Sequence, residues 1–351
     1  MSSFQNTVDV DFPTAAAKRA IPRLSIVVPC HNEELALPAL FERLERLNED
    51  LQAAKLISQN TEVVLVDDGS YDATWKMIET ARTPLTVRGI KLSRNQGHQQ
   101  ALFAGLIHAG GDVVVSMDAD LQDDPDAVIG MIRAYLKGAD IVFGVRASRE
   151  SDTWFKRASA RTYYRILERL GVDLIPDHAD FRLMSRKSIR ALRSFEESNL
   201  FLRGLVRQLG FTTDVVTYDR SPRVAGESKY TLRKMISLGL EGVTSFSVKP
   251  LRMIVLFGFA VAAITFLYSL YSIYAWARGD TIPGWTSVVL PLSLLGGVHL
   301  IALGVIGEYV GKIYKETKRR PRFIVDEIVS AGDAEQDIEA PVINVTANSS
   351  R

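Results

Sequence analysis

The sequence predicts an α/β fold, in which a mainly parallel β-sheet with helices on both faces is followed by amphipathic helices and two membrane-spanning helices. Between residues 23 and 144, short β-branched apolar runs alternate with helical patterns, which is typical of a parallel sheet buried on both faces. Residues 182–252 contain fourteen Lys or Arg against six Asp or Glu. Residues 253–277 and 281–307 contain no Asp, Glu, Lys or Arg, and each is long enough to cross a bilayer as a helix.

The first half of the chain predicts five strands and four helices in alternation. The strands are expected at residues 24–29, 62–67, 87–92, 112–118 and 140–144, and the helices at 33–51, 73–81, 99–109 and 126–137. In such sheets, ligands bind beyond the carboxyl ends of the strands. Polar motifs follow four of these strands, so we expect the functional site at that edge.

The second half predicts a membrane-associated region. Residues 196–209 and 230–246 carry apolar and basic residues at helical spacing, which favours helices lying on an anionic membrane surface; ordinary packing helices are the alternative. The basic cluster after residue 311 indicates a cytoplasmic end for the second span. We expect a flexible arm at 1–22, a catalytic domain at 23–195, interface helices with an acceptor loop at 196–250, a transmembrane hairpin at 251–314, and a basic segment with a polar tail at 315–351.

Composition excludes several classes of protein. The 351 residues have a formal net charge of +1, which argues against a dedicated nucleic-acid binder. The single cysteine, Cys30, excludes an intrachain disulfide and a cysteine-based zinc site. The chain contains neither a Gly-x-Gly-x-x-Gly motif nor a Walker A loop, which disfavours a dinucleotide or P-loop site.

The strongest chemical signal is an Asp-Ala-Asp-Leu-Gln motif at residues 118–122, after the fourth predicted strand. In an extended chain the side chains of Asp118, Asp120 and Gln122 point the same way, and oxygen ligands suit a hard divalent cation. We expect Mg²⁺ or Mn²⁺ there, bridging a diphosphate and stabilising the charge of a departing nucleoside diphosphate. A solvated acidic turn is the alternative.

Three weaker motifs follow the other strands. Their carboxylates are candidates to accept hydrogen bonds from a base or ribose, and their glycines permit close backbone approach, although helix capping is an alternative role for Ser70 and Glu33. The candidate nucleotide-sugar ligands are Pro29, Asn32, Glu33, Asp67, Asp68, Gly69, Ser70, Arg94, Gly97, Asp118 and Ala119.

Together, the Asp-Asp-Gly-Ser motif at 67–70 and the 118–122 motif resemble family 2 glycosyltransferases of the GT-A fold. Motifs at 179–186, 201–204, 223–230 and 307–314 resemble those of polyprenyl-phosphate glycosyltransferases, the subgroup that includes bactoprenol glucosyltransferases and dolichol-phosphate mannose synthases. The resemblance implies a nucleoside near Pro29, Glu33, Asp67 and Asp68. Two positions depart from the family pattern: Asp124 stands where Pro is usual, and His31 where an aromatic residue is frequent.

The acceptor implied by this resemblance is a lipid monophosphate, which is already mostly ionised because its second pKa is about 6. Asp180 is, with Asp120, the candidate catalytic residue; it is either a general base or the partner that orients Arg182. Charge-assisted bonds and polar donors in the basic stretch are expected to hold the phosphate, from Arg182, Arg203, Arg223, Gly226, Ser228 and Lys229.

The resulting hypothesis is an inverting, metal-dependent transferase of the bacterial inner membrane. UDP-glucose is the first candidate donor; UDP-GlcNAc, GDP-mannose and a UDP-aminoarabinose derivative stay open. The expected partners are a nucleotide sugar, undecaprenyl phosphate and the membrane, but not nucleic acid; the resemblance also implies a homo-oligomer, a tetramer. Both termini and the catalytic domain are expected in the cytoplasm. A processive synthase and a non-catalytic scaffold or flippase subunit are the alternatives.

Overall fold

A computed structural model describes residues 19–146, 178–197, 202–219, 248–278 and 284–331. Eight strands in these ranges form one mixed sheet in the spatial order β7-β5-β6-β4-β1-β2-β3-β8. Their bounds are β1 Leu24–Cys30, β2 Glu62–Asp67, β3 Thr86–Leu92, β4 Val113–Ser116, β5 Ile141–Arg146, β6 His178–Ser185, β7 Thr213–Tyr218 and β8 Val325–Ala331.

The centre of the sheet is parallel. β1 pairs in parallel with β2 and β4, and β2 pairs in parallel with β3. β6 runs antiparallel between β4 and β5, and β8 pairs antiparallel with β3. The carboxyl ends of β1 to β4 therefore meet at one edge of the sheet, together with the first residues of β6.

Eight helices accompany the sheet in the described ranges. They are α1 Leu37–Ala53, α2 Thr74–Glu79, α3 His98–His108, α4 Ala127–Leu136, α5 Arg186–Arg193, α6 Leu202–Gln208, α7 Lys249–Ala277 and α8 Trp285–Thr317. The apolar residues of α1 recur at the spacing of one helix face, and Leu40, Leu44, Leu47 and Leu51 are all buried. All seven residues of β1, a central strand of the sheet, are buried.

The predicted α/β fold with a mainly parallel sheet is confirmed, and the five expected strands and four expected helices are all present. The sequence did not reveal β6, β7 and β8. β6 contains a buried Arg182 and Asp180, and these charges hide the apolar pattern of a strand. The sheet therefore extends beyond the expected boundary at 195 and takes its last strand from the predicted 315–351 tail.

The expected membrane-surface helix at 196–209 is wrong over its described part. Leu202, Leu205 and Val206 of α6 are fully buried in a hydrophobic cluster with residues of the sheet, α3 and α5, so the apolar face of this helix packs on protein. The alternative prediction, an ordinary packing helix, describes α6. The second expected surface helix, at 230–246, lies outside the described residues.

α7 and α8 match the two predicted spans. Lys249–Tyr268 has a mean hydropathy of 2.1 and Leu295–Thr317 one of 1.2, and neither segment is buried inside the protein. Exposed apolar side chains of this size, such as Phe259 and Leu300, are unfavourable in water. By length and composition, both helices are able to cross a membrane.

Candidate active site

The loops after β1 and β2 are joined by hydrogen bonds at the carboxyl edge of the sheet. The backbone N–H of Asn32 donates to Ser70 Oγ at 3.0 Å, and that of Tyr71 donates to Asn32 Oδ1 at 2.8 Å. The backbone N–H of Glu33 donates to Thr74 Oγ1 at 2.8 Å. The predicted donor-site residues Asn32, Glu33 and Ser70 therefore lie together.

Asp68 connects this pair of loops to the loop after β3. The residue is 3% exposed, and its carboxylate accepts the backbone N–H groups of Gln96 at 2.7 Å and Gly97 at 2.9 Å. Gly69, with φ +67°, lies so close that an added Cβ would be 2.6 Å from the Asn95 nitrogen. The structure thus places Asp68 as the clamp of the 96–97 backbone, and Gly69 allows the close approach.

Asp67 has a different environment from its neighbour. Its Oδ1 accepts the backbone N–H of Ser70 at 3.2 Å, whereas its Oδ2 is buried and has no hydrogen-bond partner among the described residues. Burying a carboxylate oxygen without a partner is unfavourable. A ligand hydroxyl or base N–H bound at this edge would supply the missing donor.

Asp118 and Asp120 lie beyond the end of β4 rather than on it. β4 ends at Ser116, residues 119–120 form a turn, and Leu121 has a φ of +53°. The expectation that an extended chain aligns the two carboxylates is therefore wrong. The turn is held by the backbone N–H of Gln122, which donates to Asp120 Oδ1 at 3.2 Å.

The acidic turn fits a hard divalent cation. Burial, together with the carboxylates of Asp180, Asp123 and Asp120, raises the pKa of Asp118 to about 6, while His98 acts in the opposite direction. A cation would relieve this concentration of negative charge. No group of three or more His, Cys, Asp or Glu side chains in the described ranges is arranged to hold a metal alone, so a bound cation would need oxygens from its substrate as well.

Asp123 anchors this turn from below. Tyr218 Oη donates to its Oδ1, and Arg146 Nη2 lies 3.4 Å from the same oxygen. Asp123 is 2% exposed, and burial next to it raises the pKa of Tyr218 well above its ordinary value. The far end of β7 thereby fixes the position of the predicted metal ligands.

Asp180 lies at the centre of a cluster of donors. Arg182 Nη2 donates to its Oδ1 at 2.9 Å, Arg203 Nη2 to its Oδ2 at 3.2 Å, and Gln99 Nε2 to its Oδ2 at 3.0 Å. His98 Nε2 lies 3.4 Å from Oδ2. Burial alone would raise the pKa of Asp180, but His98, Arg203 and Arg182 hold it well below its ordinary range.

Sequence reasoning missed His98 and Gln99, although both follow Gly97 at the start of α3. His98 Nε2 is also 3.7 Å from Asp118 Oδ1, so it joins the acidic turn to the Asp180 cluster. Burial would lower the pKa of His98, but the bond to Asp180 and the charge of Asp118 raise it above its ordinary value. Their place at the amino end of a helix, after the loop that follows β3, was the available signal.

The other predicted residues are dispersed. Pro29 and Ala119 are buried, and Arg94 is exposed in the loop after β3. Arg182 is fully buried and so does not face a solvent-borne phosphate; its guanidinium is directed at Asp180. Arg203 is on the open side of the cluster. Four predicted acceptor ligands lie outside the described residues: Arg223, Gly226, Ser228 and Lys229.

Comparison with known proteins places this arrangement in context. Residues 25–193 match the family model described as glycosyl transferase family 2. The chain is 44% identical to the uncharacterized glycosyltransferase YkoT of Bacillus subtilis (strain 168), covering 88% of this chain and 93% of that one. It is 40% identical to the bactoprenol glucosyl transferase of Shigella phage SfV, covering 86% and 98%. The structure of mannosyltransferase PcManGT from Pyrobaculum calidifontis with GDP-Man and Mn²⁺ aligns at 19% identity and a TM-score of 0.44, over 86% of both chains.

Proposed function

The chain belongs to glycosyl transferase family 2, and on that premise we propose that it transfers a hexose from a nucleotide sugar to a polyprenyl phosphate at a membrane surface. The observation that carries the proposal is the contact between two unlike groups at one edge of the sheet. An acidic turn suited to a metal-bound diphosphate lies beside the Asp180 cluster, in which Arg203 and His98 are partly exposed and suit a phosphate acceptor. The name of the phage relative supports the lipid carrier.

The donor would bind along the carboxyl ends of β1 to β4. Asp67 Oδ2 is buried without a partner in the part of the chain that the structure describes, and it would accept a hydrogen bond from the base or the ribose. Asp118 and Asp120 would hold Mg²⁺ or Mn²⁺ with the diphosphate oxygens, and Gln122 would add an amide oxygen. The cation, when bound, would supply charge stabilisation for the leaving nucleoside diphosphate.

The acceptor needs orientation more than deprotonation. Its phosphate oxygen is already anionic near neutral pH, so a carboxylate with a strongly lowered pKa is not required to take a proton. We therefore assign Asp180 to orienting Arg203, with the buried Arg182 as its permanent counter-ion. An oxygen of the phosphate forms a bond to the anomeric carbon as the bond to the diphosphate breaks, and the bonding pair leaves with the nucleoside diphosphate. This single displacement inverts the anomeric centre.

UDP-glucose is the first candidate donor, with UDP-GlcNAc, GDP-mannose and a UDP-aminoarabinose derivative behind it. We propose that α7 and α8 anchor the enzyme in the bacterial inner membrane, with the catalytic domain and both termini in the cytoplasm. A homo-oligomer, a tetramer, is part of the same proposal.

A donor panel tests the proposal directly. The full-length chain, purified in detergent, is incubated with undecaprenyl phosphate, Mg²⁺ or Mn²⁺ and each radiolabelled nucleotide sugar, and the lipid product is extracted and counted. We expect one donor to give lipid-linked label, in the β configuration for an α-linked donor. We expect Asp120→Asn to lower the rate at least 100-fold, as the loss of an electrostatic stabiliser does.

Asp126→Asn is the matched control. Asp126 lies beyond the same motif, and its carboxylate pairs with Arg43 at 2.5 Å on the surface, so this variant is expected to keep its activity. Full activity of Asp120→Asn, or of the wild type with the metal chelated, would contradict the metal-dependent mechanism. A polymeric product would indicate a processive synthase, and no donor binding with Mn²⁺ present would indicate a scaffold.

A further inference from the structure

We infer that His98 is a ligand of the acceptor phosphate, and that it holds this group at the junction of the acidic turn and the Asp180 cluster. The inference rests on the proposed function and adds a residue and a role to it. His98 is the first residue of α3 and follows Gly97, whose φ of +90° turns the chain into the helix. Its position is therefore determined by the backbone of the 96–97 loop, which Asp68 clamps.

The imidazole of His98 lies between two carboxylates. Its Nε2 lies 3.4 Å from Asp180 Oδ2 and 3.7 Å from Asp118 Oδ1. Because two carboxylate oxygens surround Nε2, this nitrogen carries the hydrogen. His98 is therefore a donor located between the residue expected to bind the donor's metal and the residue that organises the acceptor cluster.

The charged side chains around Asp180 differ in their exposure to solvent. Arg182 and Asp180 have side-chain exposures of 0% and 5%, and together they form a neutral buried pair. His98 and Arg203 have side-chain exposures of 43% and 36%. The carboxylate thus has one permanent counter-ion beneath it, while donors capable of meeting an anion lie on the open side.

The geometry of the proposed reaction restricts where the acceptor phosphate can bind. The nucleophilic phosphate oxygen must come within about 3–3.5 Å of the anomeric carbon, whose diphosphate would be held at Asp118. The acceptor phosphate must therefore lie next to the acidic turn, which is where His98 is found. A cation held at Asp118 would remove one of the two carboxylates that compete for the Nε2–H, and this hydrogen would then be shared between Asp180 Oδ2 and the incoming phosphate.

The test compares His98→Ala and His98→Gln with His108→Gln in the full-length chain. His108 is the last residue of the same helix, and its Nδ1 contacts the Ala104 carbonyl oxygen at 2.7 Å, outside the site. We expect His98→Ala to raise KM for undecaprenyl phosphate about tenfold, the factor for one lost hydrogen bond to a charged group. We expect donor affinity, measured by calorimetry with Mn²⁺, to change less than about twofold. The Gln variant, whose amide retains a donor, should recover part of the loss.

Competition with a soluble acceptor distinguishes a phosphate ligand from a merely structural residue. Farnesyl phosphate and farnesol share the chain and differ in the phosphate, so His98→Ala should weaken binding of the first and leave that of the second unchanged. An unchanged acceptor KM, or an equal loss of farnesol and farnesyl phosphate binding, would overturn the inference. So would an equal loss of donor affinity. If the wild type binds farnesyl phosphate through His98 but transfers no sugar, the proposed function fails and the His98 assignment stands.

Discussion

Asp67 and Asp68 are adjacent, and the structure predicts opposite consequences when each is replaced. Asp68 accepts the N–H groups of Gln96 and Gly97 from a buried position. Asp67 has one buried oxygen that meets no hydrogen-bond partner within the described ranges. Replacing Asp68 should therefore destabilise the fold, whereas replacing Asp67 should weaken donor binding.

The size of the Asp68 effect follows from its contacts. A hydrogen bond to a charged group contributes about 1.5–3 kcal/mol. In Asp68→Ala the Gln96 N–H loses its acceptor, while the Gly97 N–H still has Asn95 Oδ1 at 3.1 Å. The expected loss is about 2–4 kcal/mol. At about 2–4 °C of Tm per kcal/mol for a domain of this size, Tm should fall by about 5–15 °C. Asp68→Asn keeps one acceptor oxygen and should lose about half as much.

Thermal unfolding of the detergent-solubilised chain, followed by near-ultraviolet circular dichroism, measures these shifts. Glu42→Gln is the control, because Glu42 and its partner Arg46 are both 64% exposed and such surface pairs contribute little. Asp67→Ala loses the bond from the Ser70 N–H but also removes the buried, unsatisfied Oδ2. Because these two effects offset each other, Tm should stay within about 2 °C, whereas donor binding should weaken at least tenfold. A Tm of Asp68→Ala equal to that of the wild type would refute the clamp, and unchanged donor affinity in Asp67→Ala would refute the ligand role.

Three further predictions concern pH, reactivity and packing. Partial burial would raise the pKa of Asp72, but hydrogen bonds from Thr74 outweigh the effect of burial and lower this pKa. The stabilisation of the fold by these hydrogen bonds is therefore complete above the unfolded pKa of about 3.9, and it is lost as the pH falls through the lower folded pKa. The Tm gap between wild type and Asp72→Asn should thus be open at pH 7 and closed near pH 2. Burial raises the pKa of Cys30 well above its ordinary value, so a thiol reagent should label the native chain at least 100-fold more slowly than the denatured chain. A Cβ at Gly89 would lie 2.7 Å from Val329 Cγ2 in β8, so Gly89→Ala should cost about 1–3 kcal/mol, and adding Val329→Ala should restore part of it; strict additivity would argue against the pairing of β3 with β8.

The sequence predicted the parallel half of the sheet well because each of its strands is a continuous apolar run. β1 and β2 are buried throughout almost their whole length. Because buried strands consist of apolar residues, their positions can be recognised in the sequence. The position of the site followed from the same pattern, since parallel strands place their carboxyl ends at one edge. The predicted site residues Asp67, Asp118 and Asp120 lie at or just beyond the carboxyl ends of β2 and β4, and their roles as ligands stay a prediction.

What the sequence did not reveal depends on contacts between distant residues. β6 contains a fully buried Arg182, which is tolerated only because Asp180 neutralises it, and a pattern of single residues cannot show that pairing. His98 was passed over for the same reason, since its two carboxylate neighbours come from β6 and from the loop after β4. The sequence of α6 resembles that of a surface helix because its basic residues can be read directly, whereas the buried residues that cover its apolar face come from distant parts of the chain.

The pairing of β3 with β8 restricts how α7 and α8 can be placed in a membrane. β8 follows α8 in the chain, yet it pairs with β3, an edge strand formed by residues that come before α7. In this pair Ile90 lies opposite Ile328. Phe323 extends the contact, because its ring packs edge to face on Phe103 at 6.4 Å. The end of α8 must therefore lie on the same side of any bilayer as the sheet. Between β7 and β8, which belong to one sheet, the chain crosses a bilayer an even number of times or not at all. This agrees with the proposed hairpin of α7 and α8 and excludes a single crossing.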